Sequence, residues 1–327
     1  MPRSRPRTFG ALIAVAVVTV QALLVPLFAG PAAHLEPRDL PIAVAGPPPA
    51  TAALKTKLET AHPGAFAISL LPDAASADAG IKDRSLYGGI VLAPSGVTVH
   101  VTSAGSPAVA ALLTQAAADL GPAPVVDVVP TDPDDPRGAG FGAAFLPLAI
   151  TALLAGVLIF LLVHRRTDRL AGLLTFGGLA GPVGAFVQQV WLGVLPGDYL
   201  SNAAAIGLVA LALAGTLTGL GALVDRGGLV LGVVLLFLVG NALSAVAAAP
   251  ELLPPPWGSV GQFLPIGAGA TVLRSVAYFG GSGATPEAAV LIAYAVGGLV
   301  MVAAGRRGLR SRAVPVALPA RVPAPIG

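Results

Sequence analysis

The chain has no cysteine and only four histidines in 327 residues. Without thiols, disulfides, thiolate metal sites and cysteine nucleophiles are excluded. His34, His62, His100 and His164 lie far apart, and none has a carboxylate at ligand spacing. No metal site and no cofactor are therefore expected. The phosphate loop GxxxxGK[ST] is missing, so the chain does not hold ATP in that manner. A GxSxG elbow is missing as well, and Gly280–Ala284 only resembles one. With no catalytic set in view, an enzyme is not expected. Charge is the scarcest commodity. Charged residues make up 11% of the chain, against about 25% in a soluble domain.

What is present is apolar. Hydrophobic residues make up 55% of the sequence, with a mean hydropathy of +0.83. Phe141–Val163 runs for 23 residues without a charge and ends in Arg165, Arg166 and Arg169. At about 1.5 Å per residue this spans the roughly 30 Å hydrocarbon core. Basic residues beside a span mark the cytoplasmic side, so residues 31–140 are expected outside. Twelve of the 19 basic residues (Arg3, Arg5, Arg7, Arg165, Arg166, Arg169, Arg226, Arg306, Arg307, Arg310, Arg312, Arg321) then fall inside, against two acids, Asp168 and Asp225. The remaining seven basic and 14 acidic residues fall outside. This asymmetry reports orientation and contact with the lipid bilayer, and no nucleic-acid partner is expected.

The fold class expected is a mainly α membrane protein of six transmembrane helices, with a small extracytoplasmic α/β domain between helices 1 and 2. Residues 1–30 form a basic N-terminus and a first span, Ala11–Ala29. A cleaved signal peptide ending near Phe28–Ala33 is the alternative, although its apolar region is usually shorter, about 7–15 residues. Residues 31–140 alternate short apolar runs with helical periodicity. Strands are expected at Pro41–Gly46, Ala65–Leu71, Leu86–Ala93, Val97–Ser103 and Pro124–Val129. Helices are expected at Thr51–His62, Asp73–Asp83 and Ser106–Leu120, giving the order β-α-β-α-β-β-α-β. Pro94-Ser95-Gly96 marks a hairpin turn. Residues 141–305 supply five more spans: Phe141–Val163, Leu170–Leu195, Leu200–Val224, Leu229–Ala249 and Pro286–Ala304. Both termini are expected inside the plasma membrane, with 306–327 as a basic cytoplasmic tail.

Pairs of small residues recur at helical spacing: Gly177 and Gly181, Gly215 and Gly219, Gly228 and Gly232. They predict close helix packing rather than chemistry. No acid lies in the middle of a span, which argues against an ion-driven pump. The candidates for a polar translocation path are Gln188, Gln189, Asn241, Gln262 and Arg274. Gln188, Gln189, Asn202 and Asn241 serve equally well as interhelical hydrogen-bonding groups. Residues 250–285 are apolar but broken by Pro254, Pro255, Pro256, Pro265 and many glycines. Either two short segments dip into the outer leaflet, or the stretch lies flat at headgroup level. In the first case Arg274 needs a partner, and Asp198 and Glu251 are the nearest external acids in prospect.

Two stretches, DRSLYGGIVLAPSG (83–96) and GQFLPIGAGATVLRSVAYFGGSG (261–283), together with this layout, resemble the ABC-2-type transporter permeases, in the branch of phage-infection-protein-like membrane proteins. The resemblance implies an exporter subunit moving an amphipathic or lipid-like substrate with a separate ABC ATPase, as a homodimer. In that family the ATPase contact lies on the first cytoplasmic loop, which here is only His164–Arg169. The alternative is a non-transporting membrane scaffold whose external domain binds a cell-envelope partner.

Overall fold

The computed structural model describes residues 7–119 and 123–305. The expected tail at 306–327 and the extreme N-terminus lie outside these residues. The described chain is mainly helical, with five helices long and apolar enough to cross a membrane and one five-stranded sheet.

Helix α1 (Arg7–Ala33) leads in. Its apolar side chains, among them Leu12, Val15, Val18 and Leu23, are exposed along its length. The small domain then follows as β1 (Leu40–Ala45), α2 (Pro48–Ala61), β2 (Phe66–Leu71), α3 (Ala74–Lys82), β3 (Gly88–Ala93), β4 (Gly96–Val101), α4 (Pro107–Asp119) and β5 (Val125–Asp127). The element order is the one the hydrophobic pattern predicts. The sheet order is β2-β1-β3-β4-β5, and only the β3–β4 pair is antiparallel. Parallel neighbours need helical crossovers, which α2, α3 and α4 provide. Alternation along β1 sends Leu40 and Ile42 toward α2 and α4 on one face, and Ala43 and Ala45 toward α3 on the other. Leu40, Ile42 and Ile81 are fully buried, and each such side chain contributes about 1.5–3 kcal/mol. Strand β4 stops two residues earlier than expected. Thr102 Oγ1 donates to Val129 O and accepts from Gly105 N, which curls the chain into α4.

The membrane part comprises α5 (Ala139–Leu162), α6 (Arg166–Ala185, continued as a π turn to Trp191), α7 (Tyr199–Gly232), a π stretch (Val233–Val239) leading into α8 (Gly240–Ala242), then α9 (Trp257–Gln262), α10 (Pro265–Phe279) and α11 (Thr285–Ala304). Tyr199–Ala242 is one 44-residue helical stretch by its hydrogen bonding, yet Asp225 has φ 56° and ψ −140° within it. The chain doubles back there. A Cβ on Gly232 would sit 3.2 Å from Leu220 Cδ1, whereas along an unbroken helix residues 12 apart lie about 18 Å apart. The returning arm ends at Ala242 rather than Ala249. Ser244 Oγ bonds Asn241 O, and Ala245 takes φ 51°, which together end the helix.

The first arm of α7 is the centre of the bundle. Gly177 and Gly181 of α6 meet Ala203 and Gly207, Gly156 of α5 meets Ala214, and Gly298 of α11 meets Gly215 and Thr216. A Cβ on Gly207 would lie 2.8 Å from Gly177 O, and one on Gly219 would lie 2.8 Å from Gly298 O. Backbones this close leave no room for a methyl group. Gly298→Ala should therefore destabilise the detergent-solubilised protein by about 1–3 kcal/mol through overpacking. Gly297→Ala, whose Cβ meets nothing within 4 Å, should leave the melting temperature unchanged. Equal melting of the two variants would remove this packing argument.

Candidate interdomain site

The N-terminal ends of parallel strands β1 and β3 and the C-terminal end of antiparallel β4 share one edge of the sheet. That edge faces the bundle. It carries Arg38, Asp39 and Pro41 before and at the start of β1, Arg84 and Tyr87 in the α3–β3 turn, and Ala104 and Gly105 after β4. Opposite it stands the broken stretch 250–285, which is two short helices. Almost every residue of α10 is buried, including Arg274 and Ser275. Burial of that kind is at odds with a segment lying flat among headgroups. Helix α10 packs on α7, α11 and the start of α5 on one side, with Gly269 against Val209 and Phe145. On its other side it meets the external domain.

Three sets of bonds join the halves. Arg274 Nη1 donates to Ala104 O at 3.0 Å and to Gly105 O at 3.2 Å, and its Nη2 donates to Val246 O at 2.6 Å. Its guanidinium lies 4.7 Å from the centre of the Phe141 ring. Its hydrogen-bond partners are carbonyls rather than the acids expected. Asp198 instead caps α7 by accepting from Ser201 N, and Glu251 Oε2 accepts from the Tyr87 hydroxyl at 3.0 Å. Arg38 N donates to Glu251 O, and its Nη1 donates to Leu252 O at 2.9 Å. Arg84 Nη1 donates to Thr271 O at 3.1 Å, and its guanidinium lies 5.3 Å from the Phe279 ring centre.

Between these contacts lies a cavity of about 490 Å³, lined by Arg38, Asp39, Arg84, Tyr87, Glu251, Gln262 and Glu287 among others. Its volume is in the range of small-molecule sites. Burial lowers the Arg84 pKa from its ordinary value, and burial together with the neighbouring Glu251 raises that of Tyr87. Two of its residues hold strained backbone: Asp39 has φ 49° and Arg84 φ 65°. An arginine in the left-handed region costs of order 1–3 kcal/mol, and such strain concentrates at functional sites. Four buried side-chain polar atoms among the described residues have no partner: Gln262 Nε2 and Glu287 Oε2, which belong to residues of this wall, and Asn202 Oδ1 and Tyr278 Oη, which do not. The Gln262 amide oxygen accepts from Thr271 Oγ1 at 2.7 Å.

The five path candidates do not meet. Gln188 is buried and donates to Gly184 O. Gln189 donates to Gly197 O and accepts from Asn202 Nδ2, tying the α6–α7 turn. Asn241 lies at the end of the returning arm of α7, beside a shallow groove that includes Phe28 and Pro31 of α1. Only Gln262 and Arg274 belong to the interdomain region. Arg38, Arg84, Tyr87 and Glu287 were not among the expected site residues. Arg84 and Tyr87 lie within 83–96, and Glu287, in the first turn of α11, reads in sequence as a helix-dipole partner.

A second cleft, about 760 Å³, opens at the opposite edge of the sheet, lined by Pro47, Pro48, Leu70, Leu71, Pro72, Val91, Leu92 and Pro94 among others. Ligands of α/β sheets favour such carboxyl ends. Here, prolines at the start of α2 remove the N–H groups that a phosphate would use, and the walls are apolar. His100 Nδ1 pairs with Asp78 Oδ1 at 2.6 Å, a contact across 22 residues that spacing did not show. Among the described residues no group of three or more His, Asp or Glu side chains gathers as a metal site.

No family model matches the chain, and no curated protein or solved structure matches it either.

Arg274→Ala would strand two buried carbonyls, Ala104 O and Gly105 O, each costing about 1–3 kcal/mol when left unpaired, together with the half-buried Val246 O. Faster amide hydrogen exchange at residues 102–107, with the exchange of α7 unchanged, is the expected result. Unaltered exchange at 102–107 would show that Arg274 does not hold the domain.

Proposed function

We propose that this chain is a six-span plasma-membrane subunit of ABC-2-permease type, with both termini cytoplasmic and residues 31–140 extracytoplasmic. It would move an amphipathic or lipid-like substrate using ATP hydrolysed by a separate subunit, and would act as a homodimer. One observation supports this reading above the others. The broken stretch before the last apolar helix forms the short helices α9 and α10, and α10 is buried between the bundle and the external domain. Such a wedge, bonded to both sides, suits an outer gate whose position the domain controls. The fold-back at Asp225 supports a sixth span, since Tyr199–Val224 and Arg226–Ala242 would then cross in opposite directions. The second arm is 17 residues, or about 26 Å, which suits a tapered or locally thinned membrane.

A specific feature favours the alternative of a membrane scaffold. The connection between α5 and α6 is only Val163–Arg165. Arg169 closes it by donating to Val163 O at 2.6 Å and Phe160 O at 2.8 Å. An ATPase would have little to grip there. On the scaffold reading, the external domain binds a partner in the cell envelope and nothing crosses the bundle.

Single cysteines at Ser95, Arg166 and Arg226 of this cysteine-free chain test the orientation. With an impermeant thiol reagent on intact cells, the Ser95 variant alone should be labelled, and labelling at Arg226 would overturn the six-span arrangement. Purification of the full chain from its native membrane separates the two functions. An ABC ATPase that copurifies in stoichiometric amount, with ATP-dependent substrate loss from vesicles, is the permease result. Copurification of envelope proteins without an ATPase is the scaffold result.

A further inference from the structure

We infer that the interdomain cavity is a binding site for a zwitterion bearing a primary ammonium and an anionic group, of the kind an aminophospholipid headgroup presents. Five charged residues line the cavity: Arg38 and Arg84 against Asp39, Glu251 and Glu287. The sum is one negative charge. Arg38 is engaged by Glu36 at 3.2 Å and by the carbonyls of His34, Glu36 and Leu252. Glu251 accepts from Tyr87. With Arg38 held by Glu36, the carboxylates of Asp39, Glu251 and Glu287 share the cavity with one remaining guanidinium, Arg84. Among the described residues Glu287 forms no ion pair, and an ammonium in the cavity would supply both charge and donors to these carboxylates.

The other half of the ligand follows from Arg84. It spends Nη1 on Thr271 O, and among the described residues no carboxylate forms an ion pair with it. Its fork is suited to a phosphate or carboxylate. Gln262 also lines the cavity, with its amide oxygen accepting from Thr271 Oγ1.

The source of the zwitterion follows from what stands beside the cavity. Helix α9 contributes Gly258, Ser259 and Gln262 to the wall. Its neighbouring side chains Trp257, Val260 and Phe263 are exposed, Phe263 by 68%. A tryptophan and apolar side chains at the outer end of a bundle are the ordinary furniture of the membrane interface. An acyl chain leaving the cavity over α9 would cover this patch. This inference does not depend on transport, since a scaffold would bind the same headgroup.

The test uses the purified full chain in a neutral detergent. Binding of lysophosphatidylethanolamine, lysophosphatidylglycerol and free phosphoethanolamine is measured by thermal shift and by native mass spectrometry. The ethanolamine lysolipid should raise the melting temperature, and the glycerol lysolipid should not. Glu287→Gln keeps the shape and removes the charge, and should weaken binding at least about ten-fold. Ser259→Trp, which fills the cavity from α9, should abolish it. Free phosphoethanolamine binding as tightly as the lysolipid would assign the site to a soluble zwitterion, and much weaker binding would assign it to the lipid. Either result upholds the ligand class. Equal binding of both lysolipids, or full binding by Glu287→Gln, would overturn it. Binding by the wild-type chain without any ATP-dependent substrate loss from vesicles would count against the permease reading alone.

Discussion

A guanidinium can stay in an apolar interior only where its donors are occupied, and Arg274 imposes that condition on three separate parts of the chain. Its partners come from the β4–α4 turn and from the loop after α8, and it lies over an aromatic ring at the start of α5. Each must be in place before α10 can be buried. The turn at Ala104–Gly105 is 170 residues away in sequence, so the small α/β domain cannot dock in another orientation without leaving guanidinium donors unbonded. A lysine carries its three donors on one nitrogen and lacks the planar fork that here divides the bonds of Arg274 between two nitrogens, Nη1 toward Ala104 and Gly105 and Nη2 toward Val246. The clamp therefore fixes which edge of the sheet faces the membrane. By fixing that edge it also brings Arg38, Arg84 and Tyr87 over Glu251 and Glu287.

The bundle supplies the rigid half of this arrangement by other means. In lipid there is little hydrophobic gain from bringing helices together, so packing relies on close backbone contact. The glycines and alanines of the first arm of α7 allow α5, α6 and α11 to approach it, and Thr218 Oγ1 bonds Gly156 O at 3.0 Å across one of these contacts. At the α5–α6 turn Arg169 satisfies the last carbonyls of α5, as a basic residue at a helix C-terminus should. The two buried arginines thus do similar work at opposite ends. Arg169 closes a short turn, while Arg274 joins two domains.

Much of this was legible in the sequence, and the limits have physical causes. Period-2 and period-3.6 patterns placed every strand and helix of the small domain in order, because each is half-buried against one core. The apolar lengths and arginine clusters located the long helices. Helix ends were less accurate where a local side-chain bond decides the matter, as at Thr102 and Ser244. Arg274 was recognisable as a residue in need of partners, but opposite charge is the wrong guide when backbone carbonyls lie closer than any acid. Gln188, Gln189 and Asn241 attract notice because polar groups are rare in apolar runs. Two of the three have their amide donors spent on nearby carbonyls. Arg84 and Glu287 could not be paired from sequence. They lie about 200 positions apart and meet only because of how the sheet edge docks.

Within this one interface the joining groups and the cavity differ in kind. A polar group that serves only to join two domains should leave no buried atom without a partner, since any donor or acceptor left bare weakens the joint. Arg274, Arg38 and Tyr87 meet that standard. Arg84 and the carboxylates Asp39, Glu251 and Glu287 form no ion pair among the described residues, although they line one cavity. Backbone strain points the same way. Asp39 and Arg84, two of the four non-glycine residues with positive φ among the described residues, line this cavity. A ligand that supplies a cation to the carboxylates and an anion to Arg84 would complete these charges, and the cavity between them is large enough to admit one.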